Sequence, residues 1–326
     1  MPDGGTIARV GFFVGVIVLA AVFGAAVLGG STGSAPAVGE VDAPAFNTDD
    51  MVATPPEQTG ELTMSADAEG DVIIIDAGHG ANIDREALSP MVTTLTENGA
   101  TVNYHVGRRS GGQTLNASLA EADAFVVLGA QSRYTDAELD GLRAFSDAGG
   151  RVLVMNEPAK ANPALSLLGL SAGSSGVTSP LAPVLSQYGM AYDNGYLFTQ
   201  SEDTLNYRAV AATPTGDSGL TEDVERAVFF EARPVTGAET AMTAEGTVLS
   251  QTRREGDHGV VARSGNVVAV GDTSVMTQEF LYQADNEQLV GNILDFLVSG
   301  EKSPESAPQS GSESGSGTPT GTAAPS

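Results

Sequence analysis

Residues 71–80 read Asp71-Val72-Ile73-Ile74-Ile75-Asp76-Ala77-Gly78-His79-Gly80, a short apolar run that breaks into a glycine-rich turn carrying an acid and an imidazole. A continuous β-branched run closed by glycine is what a parallel strand buried on both faces requires. The pattern repeats downstream. Ser89-Pro90 places proline in the first turn of a helix ending at Asn98-Gly99, and a strand follows over 101–105. Residues 115–122 suit a short helix and 124–128 another buried strand. Thr135 with Glu138 forms a capping box for a helix that sets Leu139, Leu142 and Phe145 on one face and stops at Gly149-Gly150; strand 151–155 comes next. This alternation predicts an α/β fold with a mostly parallel, doubly wound sheet, flavodoxin-like in its layering.

From about 159 to 265 the pattern loosens. A helix over 179–188 and short strands near 196–198, 226–231 and 259–263 predict an insertion or edge extension carrying antiparallel pairs. Regularity returns with a strand over 266–270 that leads into Gly271-Asp272-Thr273-Ser274. A last helix over 285–298 has Leu289, Ile293 and Phe296 as its buried stripe.

This domain, 71–300, sits between segments of different character. Residues 10–28 carry no charge, and at about 1.5 Å per residue they make roughly 28 Å of helix, close to a bilayer's apolar thickness. The expected layout is a cytoplasmic N-terminus (1–9), a transmembrane anchor (10–30), a disordered acidic linker (31–70) and a disordered Ser/Gly/Pro/Thr-rich tail (301–326). Arg9 precedes the span, whereas 31–70 holds eight acidic residues and no Lys or Arg, so the domain is expected on the outer side of the cell membrane. Cleavage near Ala25-Ala26 or Ala35-Pro36-Ala37 would instead make it a secreted protein. The sequon Asn116-Ala117-Ser118 fits export but recurs by chance.

The chain has 41 acidic against 15 basic residues, a net charge of −26, which repels phosphate backbones and speaks against nucleic acid as a partner. It has no cysteine, which removes disulfides, thiolate metal sites and a Cys nucleophile. Only Lys160 and Lys302 are lysines, and the carboxylates are dispersed after residue 40, the surface of a protein adapted to high salt.

Ligands of open α/β sheets lie beyond the carboxyl ends of the strands. The candidate ligand-binding residues there are Asp76, Gly78, His79, Asn82, Gln131, Asn156, Asp272 and Ser274, several of which are expected to converge on one crevice. Asp76, His79 and Asp272 could hold a cation or serve an envelope hydrolase. The favoured account of Gly78-His79-Gly80 is a tight turn with an exposed imidazole, and of the aspartates, turn or helix caps. A phosphate cradle fails because no Gly-Lys-Ser/Thr follows and residue 83 is Ile. Ser132 lacks a strand-to-helix elbow, since no helix begins before Thr135. No metal site and no cofactor are expected. Arg108-Arg109 and Arg253-Arg254 are adjacent basic pairs, usually solvated, though in so acidic a chain they suit an acidic partner.

Residues 145–154, a helix end, Gly149-Gly150 and a strand, resemble a step of class I glutamine-amidotransferase-like domains. Gly271-Asp272-Thr273-Ser274 with Asp285-Asn286 and Asn292 resembles the closing segment of that superfamily's noncatalytic, membrane-anchored branch. That branch includes gliding-motility ABC-transport auxiliary proteins, an intraflagellar transport component and an uncharacterised haloarchaeal family. The resemblance covers about 71–156 and 266–298. It implies a scaffold without the parent activity, since the parent's catalytic Cys is absent. It also implies a non-enzymatic binding or scaffold role beside other envelope or transporter proteins, with the small-molecule ligand, if any, unspecified.

Overall fold

The apolar runs fold as strands and the amphipathic stretches between them as helices. A computed structural model describes residues 59–80, 85–107, 110–158, 179–200, 206–216 and 218–303; the expected anchor at 10–30, Asn82, Arg108-Arg109 and nearly all of the tail lie outside them. No helix among the described residues is long and apolar enough to cross a membrane.

Strands β1 (Val72–Asp76), β2 (Thr101–His105), β3 (Ala124–Leu128) and β4 (Arg151–Met155) alternate with helices α1 (Ser89–Glu97), α2 (Leu115–Glu121) and α3 (Asp136–Asp147). The Thr135/Glu138 capping box forms as the sequence predicts. The helix read over 179–188 is shorter, α4 (Ala182–Ser186). Short strands β5 (Ala191–Tyr192) and β6 (Leu197–Phe198) follow, then β7 (Ala209–Pro214), β8 (Ala227–Phe230) and β9 (Val235–Thr236). The long hairpin β10 (Glu239–Leu249) and β11 (Arg254–Ser264), strand β12 (Val267–Val270) and helix α5 (Asn286–Val298) complete the domain.

The main sheet runs β2-β1-β3-β4-β12-β11-β10-β7-β8, with β6 paired to β10 and a separate β5-β9 ribbon. The first five strands are parallel, and the rest add antiparallel. Among the described residues of the 159–265 stretch, β6, β7, β8, β10 and β11 thus continue the same sheet. One face packs against α1 and α5, the other against α2, α3, α4 and the β5-β9 ribbon.

The antiparallel half curls. In a flat sheet β8 would lie four spacings, about 19 Å, from β12. Instead the Phe230 N–H donates to Asp272 Oδ2 at 2.8 Å just beyond β12, and the Arg233 N–H to Gly271 O at 2.7 Å. Register shifts between β10 and β11 supply the bend. The outer edge of β8 is sealed by side chains that act as a substitute strand. Asn286 accepts from Val228 N–H at 2.7 Å and donates to Val228 O and Phe280 O, each at 2.8 Å. Asp285 accepts from the amides of Glu225 and Arg226 at 2.9 Å. It occupies the position before α5 without capping that helix.

Residues 59–70, expected as the end of a disordered linker, are part of the domain. They run between α1 and α5, where Asp295 Oδ1 accepts from the amides of Ser65 and Ala66 at 2.8 Å and Thr94 Oγ1 donates to Leu62 O at 3.0 Å. This cover explains why α5 is buried well beyond the three-residue stripe read from its period. At the other terminus Lys302 donates to Ala120 O at 3.0 Å and to Ala122 O, capping the carboxyl end of α2.

Replacing Asn286 with alanine strands the buried peptide of Val228, and we expect a loss of about 2–4 kcal/mol of unfolding free energy. Urea unfolding monitored by circular dichroism measures it; a change within about 0.5 kcal/mol would show that β8 needs no seal.

Candidate functional site

The sheet order reverses between β1 and β3, because the chain moves from β1 to β2 on one side and then to β3 on the other. Loops leaving the carboxyl ends of two such strands diverge and open a crevice. Asp76 ends β1 there, in register with His105 at the end of β2.

Asp76 is 3% exposed and its carboxylate is fully engaged. Oδ1 accepts from the amides of Gly78 at 2.9 Å and His79 at 3.3 Å, closing an Asx turn. Oδ2 accepts from His79 Nδ1 at 2.8 Å and from the Tyr134 hydroxyl. The His79 ring stacks on Tyr134 with centroids 3.8 Å apart and planes 18° from parallel, and its Nε2 faces Glu138 Oε2 at 3.4 Å. That Glu138 oxygen also accepts from the Thr135 amide at 2.7 Å, so one side chain caps α3 and holds the imidazole. The His79 carbonyl accepts from the amides of Gln131 at 2.9 Å and Ser132 at 3.1 Å, tying the two loops together. Ser132 spends its hydroxyl on the same carbonyl, at 3.3 Å.

Behind this lies His105, 3% exposed, its ring centroid 6.5 Å from that of His79. The Ser118 hydroxyl accepts from Gln113 Nε2 at 3.2 Å and is hydrogen-bonded to His105 Nδ1 at 2.9 Å, which fixes the orientation of that ring. A Cβ at residue 78 would stand 2.8 Å from His105 Cδ2, so only glycine fits there.

Burial pushes the His79 pKa down, but the hydrogen bond and charge of Asp76, with Glu138, outweigh it, and the net shift is upward. Burial pushes Asp76 up, and the bonds from His79 and Tyr134 and the imidazolium charge carry it below the usual carboxylate range. His105 is lowered by burial and by the charge of His79, against the pull of Asp76. These shifts favour imidazolium and carboxylate in the pair and the neutral form of the second imidazole.

The expected exposed imidazole is wrong: His79 is only 8% exposed. The sheet also does not bring all candidates together. Asp272 and Ser274 follow β12, three strand spacings or about 14 Å from the end of β1, too far to share an ion with Asp76 and His79. Among the described residues no group of three or more His, Asp or Glu is placed to hold a metal. Asp272 is wholly buried and accepts from the Ser274 amide at 2.8 Å as well as from Phe230, the turn-closing role expected of it. Ser274 lays its hydroxyl 2.6 Å from Asp272 Oδ1. Burial, aided by Glu157, pushes Asp272 up to about 7. Asn156, also buried, donates to Ser179 Oγ at 3.0 Å on this second side. Gln131 is exposed at the rim beside Gly80.

Tyr134, Glu138, His105 and Ser118 are absent from the sequence-derived candidates. The readable signal was His105, one of only three histidines, closing a strand one place from Asp76. The sequon is closed in the folded domain, since Asn116 is wedged against Gly141 and Ser118 is buried.

A family model described as Domain of unknown function (DUF4350) matches residues 91–294, more than half of the 326 residues. No curated protein matches. A solved structure titled "mmIFT52 N-terminal domain" superposes with a TM-score of 0.54 at 12% identity, covering 71% of this chain and 99% of that one. A putative ThuA-like protein from Parabacteroides merdae ATCC 43184 gives a TM-score of 0.42 at 8% identity, covering 76% and 99%. At 12% identity the first likeness is one of fold.

The pH dependence has a definite sign. The His79 contribution is complete below its ordinary pKa near 6.5 and fades as pH climbs through the raised value. That of Asp76 is complete above about 3.8 and fades as pH falls through the depressed one. Both are whole between about pH 4 and 6. Asp272 runs the other way: it keeps its proton when folded up to about 7, so its contribution falls as pH rises from about 4 to 7. His79→Gln should cost about 1–3 kcal/mol at pH 5 and less at pH 8.5. The penalty of Asp272→Asn should likewise be larger at pH 4.5 than at pH 8. Urea titrations of the three proteins across pH test this, and penalties that do not vary with pH would contradict it.

Proposed function

The chain belongs to this family of domains of unknown function, and from that premise we propose that it is a membrane-anchored, outward-facing, non-enzymatic binding or scaffold domain. In this reading it is an auxiliary part of a cell-envelope or transport assembly in a high-salt organism. Its fold is of the class I glutamine-amidotransferase-like kind, on the superfamily's noncatalytic branch.

The observation that carries the non-enzymatic part is the closure of the Asp76–His79 pair on itself. A general base needs a lone pair near neutral pH. Both nitrogens of His79 face carboxylates, and both oxygens of Asp76 already accept from protein donors. The group best placed at the switch point is thus built as an ion pair that fixes two loops. Ser132, the nearest hydroxyl after β3, is turned onto the His79 carbonyl. The uncharged stretch at 10–28 and the acidic residues after it support the anchor and its orientation. The competing reading, an envelope hydrolase or metal-dependent enzyme on Asp76, His79 and Asp272, needs those three side chains within reach of one substrate or ion.

The test is calorimetric titration of the purified full chain with Zn²⁺ and with Mg²⁺, alongside Asp76→Ala and His79→Ala. We expect no stoichiometric binding. One equivalent of tightly bound metal, lost in both variants, would establish the enzyme reading instead. Fractionation of native cells with intact-mass measurement tests the anchor: the expected result is a membrane-bound chain retaining residues 1–30, and a soluble chain lacking them would make this a secreted protein.

A further inference from the structure

The far end of the antiparallel half gathers aromatic and arginine side chains on one surface. Aromatic residues are only 6% of the sequence and tryptophan is absent. Yet Tyr196, Phe198 and Tyr207 meet there, with Arg208, Arg253 and Arg254. The rings of Tyr196 and Phe198 lie 6.4 Å apart, tilted by 57°. Arg208 stands 5.9 Å from the Tyr196 ring centroid and 5.3 Å from that of Tyr207, and Arg253 stands 5.8 Å from that of Phe198. Tyr207 is 46% exposed, one of two large apolar side chains exposed among the described residues.

The arrangement is held in place from beneath. Arg208 donates to Glu231 Oε1 at 2.6 Å and its Nε to the Tyr207 hydroxyl at 2.7 Å, fixing both side chains. Glu231 and Arg253 adopt left-handed backbone, φ 52° and 56°, which a residue with a Cβ adopts only when its surroundings impose it. Arg253 closes the turn between β10 and β11 in that conformation, and the turn sets its guanidinium over Phe198. Arg253 and Arg254 are exposed, and among the described residues neither has a carboxylate partner.

We propose that this Tyr/Arg surface is a docking site for an acidic segment of a partner protein. Rigid tyrosines with arginines are the residue types that dominate binding energy at interfaces, because they bury large area with little loss of side-chain freedom. Two guanidiniums with no carboxylate partner among the described residues, in a chain of net charge −26, call for carboxylates on the incoming surface, and the rings offer flat apolar area between them. A nucleic acid or an anionic bilayer is a poorer fit: each extends its charge far beyond the patch, where it would meet the protein's own carboxylates, whereas a short acidic segment confines its charge to the arginines. The site lies on the opposite half of the sheet from the Asp76–His79 crevice and does not depend on how that crevice is read.

The probe is a fluorescein-labelled dodecapeptide of alternating glutamate and proline with one central tyrosine, titrated against the full chain by fluorescence anisotropy. Saturable binding is expected. It should weaken about tenfold or more in Arg253→Ser/Arg254→Ser and separately in Tyr207→Ala, while Arg143→Ser, an exposed arginine elsewhere, leaves it unchanged. Circular dichroism of each variant guards against loss of fold, and because the patch side chains are exposed the fold should persist. Absence of saturable binding, equal binding by the patch variants, or preference for a labelled oligonucleotide or anionic vesicles over the peptide would each overturn the proposal.

Discussion

An antiparallel strand at the end of a sheet exposes peptide groups that must bond to something, and here the answer to that constraint shapes the molecule. β8 is sealed on its outer side by the Asn286 amide and Asp285 carboxylate, and its end is bound by Asp272 beyond β12. The three side chains reach β8 only because the sheet curls at the shifts between β10 and β11. Curling in turn encloses α5 between the parallel half, the antiparallel half and the 59–70 segment, which gives that helix a buried surface far wider than one stripe. A side-chain amide that both donates and accepts copies the bonding of a peptide, so the edge is closed without adding a strand that could pair with another chain.

The same economy of polar groups governs the crevice between β1 and β3. A charge removed from water must be matched by an opposite charge and by donors or acceptors in good geometry. Asp76 receives four donors and His79 is flanked by two carboxylates, so neither leaves an open site for a proton in transit. His105 is shifted toward its neutral form by burial and by the neighbouring imidazole, and Ser118 holds its ring at Nδ1. The glycine at 78 is the steric counterpart, since only a backbone without Cβ allows the β1 loop to lie on the His105 ring.

How much of this the sequence disclosed follows from the range of the forces involved. The parallel half was legible because short buried strands, capping boxes and Gly-terminated helices are written in neighbouring residues: Val72–Asp76, Thr135 with Glu138, and Gly149-Gly150 appear where the pattern put them. β7 and most of the β10–β11 hairpin were not, because Glu239–Leu249 mixes buried and exposed residues irregularly where bulges interrupt the two-residue period. Asp76 and His79 were legible as a local pair. Tyr134 and Glu138 were not, since they join it across more than fifty residues and no local period marks them. Which of the candidates meet was not legible, because positions along the chain do not reveal strand order, and β3 and β4 stand between Asp76 and Asp272.

The arginines of this acidic chain are held largely by aromatic rings. Among the described residues Arg85, Arg151, Arg208, Arg233, Arg253 and Arg263 lie over aromatic rings, two of them, Arg151 and Arg263, over the single ring of Phe296. Carboxylate pairs among the described residues include Arg208 with Glu231, and Arg143 with Asp147 at 3.9 Å on an exposed helix face. At molar ionic strength the screening length falls to about 3 Å, which removes most of the value of an exposed ion pair. A guanidinium over a ring keeps its dispersion contact when salt screens its charge. Arginine can do this and lysine, a compact and strongly hydrated charge, does it less well. With only two lysines in the chain, arginine carries most of these ring contacts, and Lys302 makes one of its own, 5.6 Å from the centroid of Phe145.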